Sequence, residues 1–249
     1  MANIAGGNQP MIKISELLVR KGDMSRAEFH DYWKRVHGPL VMSIPEIRRH
    51  VVKYVQSHTQ PDWFSFLAGD GPAFDGVAEV WCENIHAAQL MFEEPKFAEL
   101  VMPDEKQFLD MTGTVILLMS QHLVYQRPAA PIHGGVKLFE LPVRRRDMTR
   151  SECHRHWRDI HAPLVLGSSE MIKPLRRYVQ SHSLEDGAGG LPPMRYDGMA
   201  ELWFDNVDDL KACFGQQYME AVHPDEPRFV DPSRSSALVA KEYVIYERS

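Results

Sequence analysis

One stretch of this chain is written twice. Met24-Ser-Arg-Ala-Glu-Phe-His-Asp-Tyr-Trp-Lys-Arg-Val-His-Gly-Pro-Leu-Val41 returns as Met148-Thr-Arg-Ser-Glu-Cys-His-Arg-His-Trp-Arg-Asp-Ile-His-Ala-Pro-Leu-Val165, and Tyr54-Val-Gln-Ser-His58 returns as Tyr178-Val-Gln-Ser-His182. Both pairs are separated by 124 residues. That period is too long for a solenoid and means two copies of one small domain. Each copy therefore serves as a control for the other, and the 249 residues divide into units 1–126 and 127–249, each able to hold its own core.

Bulk properties narrow the class. With 44% hydrophobic and 25% charged residues the composition is that of a globular protein. A net charge of −6, without a Lys/Arg-rich run, argues against nucleic acid as a partner. The N-terminal residues lack the pattern of a signal peptide, and no apolar run approaches the roughly 18 residues of a membrane span, so a cytoplasmic protein with no membrane partner is expected. Cys82, Cys153 and Cys213 are scattered, without metal-type spacing, and are expected to be reduced and structural.

Within the first copy, Met11 to Val19 reads as a strand ended by the turn Arg20-Lys-Gly-Asp23. Ser25-Arg-Ala-Glu28 is a capping box, repeated as Thr149-Arg-Ser-Glu152, so a helix begins there in each copy. Phe29, Tyr32, Trp33, Val36 and Leu40 form its apolar stripe, and Gly38-Pro39 is expected to interrupt it near His37. Val51 to His58 reads as a second strand with Tyr54, Gln56 and His58 on one face. Gly76 to Cys82, repeated as Gly198 to Phe204, is a third strand. A second helix follows from Asn84, and Thr114 to Tyr125 is the last strand. The order β-α-β-β-α-β predicts an α+β fold of two tandem ferredoxin-like domains, helices on one face of each sheet and a bare apolar face on the other. The two bare faces are expected to pack sheet to sheet, making a pseudo-dimer within one chain, with Gln126 to Gly134 as linker. A further pairing into a homodimer is left open.

A capped helix ending in Trp-x-x-x-His-(Gly/Ala)-Pro-Leu-Val, then Tyr-Val-Gln-Ser-His, Asp-Gly-(Val/Met)-Ala-Glu-(Val/Leu)-Trp and Asp-Glu-x-x-Phe, once per copy, resembles the EthD family. The resemblance implies a dimeric α+β barrel, here a fused pair. It also implies chemistry on small aromatic or polyketide-like compounds without a cofactor, as dehydratases, cyclases, isomerases or decarboxylases; other barrel relatives bind haem.

Candidate residues follow from the repeat. Of 12 His, three pairs match: His30 with His154, His37 with His161, and His58 with His182. His37 lies one turn after Trp33, either capping the helix or bordering the space between helix and sheet, with a pKa expected to be raised by the helix dipole. His58 shares a strand face with Tyr54 and Gln56, so that face forms a hydrogen-bonded network or lines a wet pocket. Glu79 and Glu201 sit mid-strand among apolar residues and need a partner, for which a His or Tyr on a neighbouring strand is expected. The catalytic candidates are therefore His58, His37, Glu79 and Tyr54, with His182, His161 and Glu201 in the second copy. Trp81, Trp33, Gln56 and Trp203 are substrate-binding candidates. Asp104, Glu105 and Asp110, matched by Asp225, Glu226 and Asp231, read as caps and turn residues.

The copies diverge at one loop. Asp62-Trp-Phe-Ser-Phe-Leu67 is aromatic, and Trp63, Phe64 and Phe66 are expected to close over a flat ligand, whereas Asp186-Gly-Ala-Gly-Gly190 offers little apolar surface. The first copy is therefore favoured as the working site. Three readings stand: a cofactor-independent lyase or isomerase using His58 as acid and base, a haem protein with one axial His, and a small-hydrophobic-ligand carrier without chemistry. No metal site is expected, since no recurring cluster has ligand spacing.

Overall fold

The computed structural model describes residues 11–63, 74–188 and 193–248. Strand β1 (Ile12–Leu18) leads to α1 (Arg26–Tyr32), a π-helical turn Trp33–His37 and α2 (Gly38–Ser43), then α3 (Pro45–Arg48) and β2 (Val51–Thr59). Strand β3 (Gly76–Cys82), α4 (Ile85–Glu93), a π-helical turn Phe97–Val101, α5 (Met102–Phe108) and β4 (Val115–Gln126) complete the first half. The second half follows this order with β5 (Val136–Leu141), α6 (Arg150–His156), a π-helical turn Trp157–His161, α7 (Ala162–Gly167), α8 (Ser169–Ile172), β6 (Leu175–Ser183), β7 (Gly198–Phe204), α9 (Val207–Cys213), a π-helical turn Tyr218–Val222, a 3-10 helix His223–Arg228 in the place of α5, and β8 (Ser236–Glu247).

Eight antiparallel strands close into one barrel in the order β1-β3-β2-β8-β5-β7-β6-β4, with β4 returning to β1. The halves meet edge to edge, β2 against β8 and β4 against β6. This corrects the expectation that two sheets would cover each other face to face. Closure leaves no unpaired strand edge, so the long last strands β4 and β8 serve both halves.

The inner face is not the bare apolar surface expected. Lys13 of the first half reaches Glu201 of the second at 2.5 Å, and Lys137 of the second reaches Glu79 of the first at 2.7 Å. Lys13 also contacts Glu79, and Lys137 contacts Glu201 and Glu242. Ser57 and Ser181 each donate a hydroxyl proton to the Glu of their own half. These groups are buried, with Trp81 beneath Lys13 and Trp203 beneath Lys137 as cation–π partners. Burying so many charges is tolerable only because each is paired, and deleting one lysine leaves a carboxylate uncompensated, at about 3–5 kcal/mol.

The capping boxes are formed as expected, Ser25 with Glu28 and Thr149 with Glu152. Gly38-Pro39 does not end the helix. Pro39 has no N–H to give, and the chain continues through a π-turn in which the Gly38 N–H bonds to the Trp33 carbonyl, one residue further back than in an α-helix. The Gln56 side chain donates to that same carbonyl at 2.9 Å. His37 is therefore a mid-helix residue, not a helix terminus, and the dipole argument for raising its pKa does not apply. Gly76 matters to this packing: a Cβ there would sit 2.6 Å from the Trp33 ring, so the indole can lie on the strand only where there is no side chain. Gly198 does the same under Trp157.

Candidate active site

Between the barrel's outer face and the helices of the first half lies a cavity of about 40 Å³, and the matching place in the second half holds one of about 20 Å³. Strands supply Glu16, Tyr54 and Val80 to the first; the helices supply Trp33, His37, Phe97, Glu105 and Phe108. The second has Glu140, Tyr178 and Leu202 from strands and His161, Tyr218 and Glu226 from helices. Spaces of this size hold a few waters. A ring-sized substrate enters only if the covering helices move.

Three groups of polar side chains frame the first cavity. In the first, the Tyr54 hydroxyl accepts from Trp33 Nε1 at 3.1 Å and from Gln56 Nε2 at 3.0 Å. Both lone-pair directions are then engaged, leaving the Tyr54 proton free for a ligand oxygen. Burial raises the phenol pKa far above its ordinary value, so Tyr54 stays a neutral donor.

In the second, His37 Nδ1 lies 2.7 Å from Asp104 Oδ2, and Tyr32 donates to the other Asp104 oxygen at 2.6 Å. The carboxylate fixes the tautomer with its proton on Nδ1 and leaves Nε2 as an acceptor. Burial lowers the His37 pKa, against the opposing pull of Asp104.

The third is a pair of carboxyl groups. Burial raises Glu16 to about 7 and Glu105 to about 8; Glu16 and Asp104 add to the rise at Glu105. Two carboxyls in one apolar space cannot both ionise cheaply, so a proton is retained near neutrality. Such a pair can both give and take protons at physiological pH.

The framework recurs in the second half. Tyr178 accepts from Trp157 and Gln180, and His161 Nδ1 pairs with Asp225 at 3.1 Å, with His156 in the place of Tyr32. Burial raises Glu140 to about 8, with Glu226 contributing.

The residues expected to act together are divided between two faces of one sheet. Tyr54, Trp33 and His37 line the cavity, Gln56 braces it, and Tyr178 and His161 repeat this. Glu79, Glu201, Trp81 and Trp203 are on the lumen side. The partner of Glu79 is thus lysine and Ser57, not His58, because adjacent strand residues point to opposite faces. His58 lies outside the cavity lining. Its Nε2 donates to Gln56 Oε1 at 3.2 Å, and its ring stacks on Trp33 with centroids 4.7 Å apart. Burial, then the charges of His30 and Lys34, depress its pKa to about 2. His182 does likewise on Trp157, with His154 and His122 beside it.

Trp63 packs against the core of the second half, so it does not cover the first cavity; Phe64 and Phe66 lie outside the described residues. Asp110 is a turn residue as expected, accepting from Thr112, but Asp104 and Glu105 belong to the site. Glu16 and Lys13 were not singled out from sequence, although Glu140 and Lys137 stand at the same 124-residue spacing. The repeat, applied to strand one, contains that signal. Among the described residues, no cluster of His, Cys, Asp and Glu forms a metal site, and no helix is long and apolar enough to cross a membrane.

A closed antiparallel barrel wrapped by helices, with a carboxyl-bearing cavity in each half, defines an α+β barrel protein. The EthD domain profile matches residues 21–112 and 145–233, and the chain belongs to that family. A dehydratase of Cercospora beticola, CTB10, is 28% identical over 102 residues, spanning 38% of this chain and 77% of that protein. The crystal structure of an anthrone oxidase-like protein superposes with a TM-score of 0.60 at 8% identity, covering 97% of this chain and 95% of the other, which shows a shared fold.

Proposed function

We propose that the protein is a cofactor-independent lyase of the dehydratase type, acting on a small aromatic or polyketide-like hydroxy compound in the first-half cavity. The observation that carries the reading is that Glu16 and Glu105, whose carboxyls burial pushes up to about 7 and about 8, line the same space as His37 and the free hydroxyl proton of Tyr54. Loss of water from a β-hydroxy ketone needs a base at the carbon beside the carbonyl, an acid at the departing hydroxyl and a donor on the carbonyl oxygen. The ionised member of the carboxyl pair, or His37 Nε2, takes the carbon-bound proton. The protonated member gives its proton to the leaving hydroxyl, and Tyr54 polarises the carbonyl.

In this reading His58 gives up the acid–base role for a bracing one, because an imidazole whose pKa is about 2 is a weak base near neutrality. Glu79 and Glu201 hold the barrel together. Kinship to a dehydratase supports catalysis and the lyase class. The division into EthD-like units 1–126 and 127–249, each of ferredoxin-like type, belongs to the same proposal, as does action as a soluble pseudo-dimer in the cytoplasm.

The test is to incubate the protein with aromatic β-hydroxy ketones and follow loss of one water by mass. Turnover by the native protein and its loss in Glu16→Gln with Glu105→Gln are expected. Undiminished turnover by that variant on every accepted substrate would sink the assignment. Recovery of every ligand unchanged from the native protein would favour a carrier, and a visible absorption band gained on adding haem would favour a haem protein.

A further inference from the structure

The second cavity is not a smaller copy of the first. Phe97 is replaced at the matching position by Tyr218, and Met102 by His223, within segments that otherwise correspond through Pro103-Asp104-Glu105 and Pro224-Asp225-Glu226. These two changes build a connected group absent from the first half. The Tyr218 hydroxyl donates to Glu226 Oε1 at 2.8 Å, and His223 Nδ1 lies 2.8 Å from Glu226 Oε2. Tyr218 and Glu226 line the cavity, while the His223 side chain is 50% exposed, so the group runs from cavity to bulk water.

The remaining polar lining is Glu140, His161 and Tyr178, and the tyrosine complements Tyr218. Tyr178 accepts two N–H donors and keeps its own proton free to give, as Tyr54 does. Tyr218 donates its hydroxyl proton in a hydrogen bond to Glu226 and so presents a lone pair to the cavity. One wall thus offers a donor and another an acceptor, which suits a group that both accepts and donates: a hydroxyl.

We infer that the second-half cavity, once its covering helices move apart to admit a ring, is a separate binding site for a small phenol or enol, whose hydroxyl accepts from Tyr178, donates to Tyr218, and can pass its proton through Glu226 and His223 to water. The proton balance is simple. As the ligand O–H proton moves to the Tyr218 oxygen, the Tyr218 proton moves to Glu226. Against the ionised Glu226, His223 Nδ1 carries the ring's proton, so the ring first exchanges it through solvent for one on Nε2; the proton on Glu226 then passes to the vacated Nδ1 while the Nε2 proton leaves to water, leaving the ligand as its anion and the relay restored. The first cavity, with Phe97 and Met102, has no such exit. The inference extends the acid–base reading of these cavities but rests on different residues.

Phenol itself is the probe, its binding measured by titration calorimetry and by ligand-detected NMR. Tyr218→Phe, which installs the first half's residue, removes one hydrogen bond and is expected to weaken phenol about five- to tenfold. Glu16→Gln with Glu105→Gln is expected to leave that affinity unchanged while abolishing water loss in the first cavity. Phe97→Tyr with Met102→His is expected to add a second phenol site. Unchanged phenol affinity in Tyr218→Phe, confirmed folded by circular dichroism, overturns the inference, and so does loss of phenol binding confined to the Glu16 and Glu105 variant. Either result leaves the first-cavity reading standing, since that reading is tested by water loss and not by phenol binding.

Discussion

The two cavities share their bracing residues and differ in the groups that connect their carboxyls to the surroundings. Trp33, Tyr54, Gln56 and His58 are matched by Trp157, Tyr178, Gln180 and His182, bonded in the same way. Phe97, Met102 and Tyr32 become Tyr218, His223 and His156. The bracing set fixes where the helix lies on the sheet, a requirement common to both halves. The divergent positions change proton connections, and the segment that follows Phe97 and Tyr218 differs with them, α-helical at Met102–Phe108 but 3-10 helical at His223–Arg228.

The largest expected effect distinguishes the halves by chemistry. Glu16→Gln with Glu105→Gln should lower water-loss turnover by about 10²–10⁴-fold, the usual worth of acid–base groups, whereas Glu140→Gln should lower it less than about tenfold. Equal losses, read from steady-state kinetics, would mean that both halves do the same work.

Next in size is a test of what the halves hold in common. Lys13→Met and Lys137→Met each leave Glu79 and Glu201 sharing a single lysine, and chemical denaturation should show about 3–5 kcal/mol of destabilisation. Lys137→Met is expected to be the more damaging, because Lys137 contacts Glu79, Glu201 and Glu242 where Lys13 contacts Glu79 and Glu201. A stable Lys137→Met protein would show that the lumen network is dispensable.

A third comparison uses pH. Glu16, Glu105 and Glu140 have folded pKa values raised from 4.5 to about 7, 8 and 8. The folded protein then holds protons that the unfolded chain has released. The stability these groups contribute is complete below about 4.5 and is lost as pH rises to about 8. Replacing Glu16 and Glu105 by Gln should flatten the fall in Tm over that window more than Glu140→Gln does. His58 and His182 act in the opposite sense: with pKa depressed from 6.5 to about 2, they contribute stability above 6.5 that is lost as pH falls toward 2.

The smallest effect should be symmetric. Ser25→Ala and Thr149→Ala each remove one helix cap and are expected to cost about 1 kcal/mol. Unequal costs would show that the first helix is not equally important to the two halves.

Much of this was legible in the chain. The capping boxes, the sequential order of the strands and the matched residues Trp33, Tyr54 and Gln56 are local signals repeated at fixed spacing; His37 was found by the same signal but lies mid-helix rather than at a helix end. The separation of Glu79 from His58 was harder to read, because alternation along each strand does not say which face of one strand adjoins which face of the next. Glu105 was hidden for another reason. As part of an Asp-Glu pair after a helix it looks like a turn residue, and only the π-turn at Phe97–Val101 and the helix after it carry it into the cavity.

The sequence by itself determined that one α+β unit occurs twice and that a polar strand face meets a capped helix, because periodicity, capping and repetition are properties of neighbouring residues. Tertiary structure alone decided that the halves join at their edges, that Lys13 crosses the lumen to Glu201, and that Glu16 meets Glu105 over a cavity. Those pairings join residues far apart in the chain, and their pKa values depend on what surrounds them.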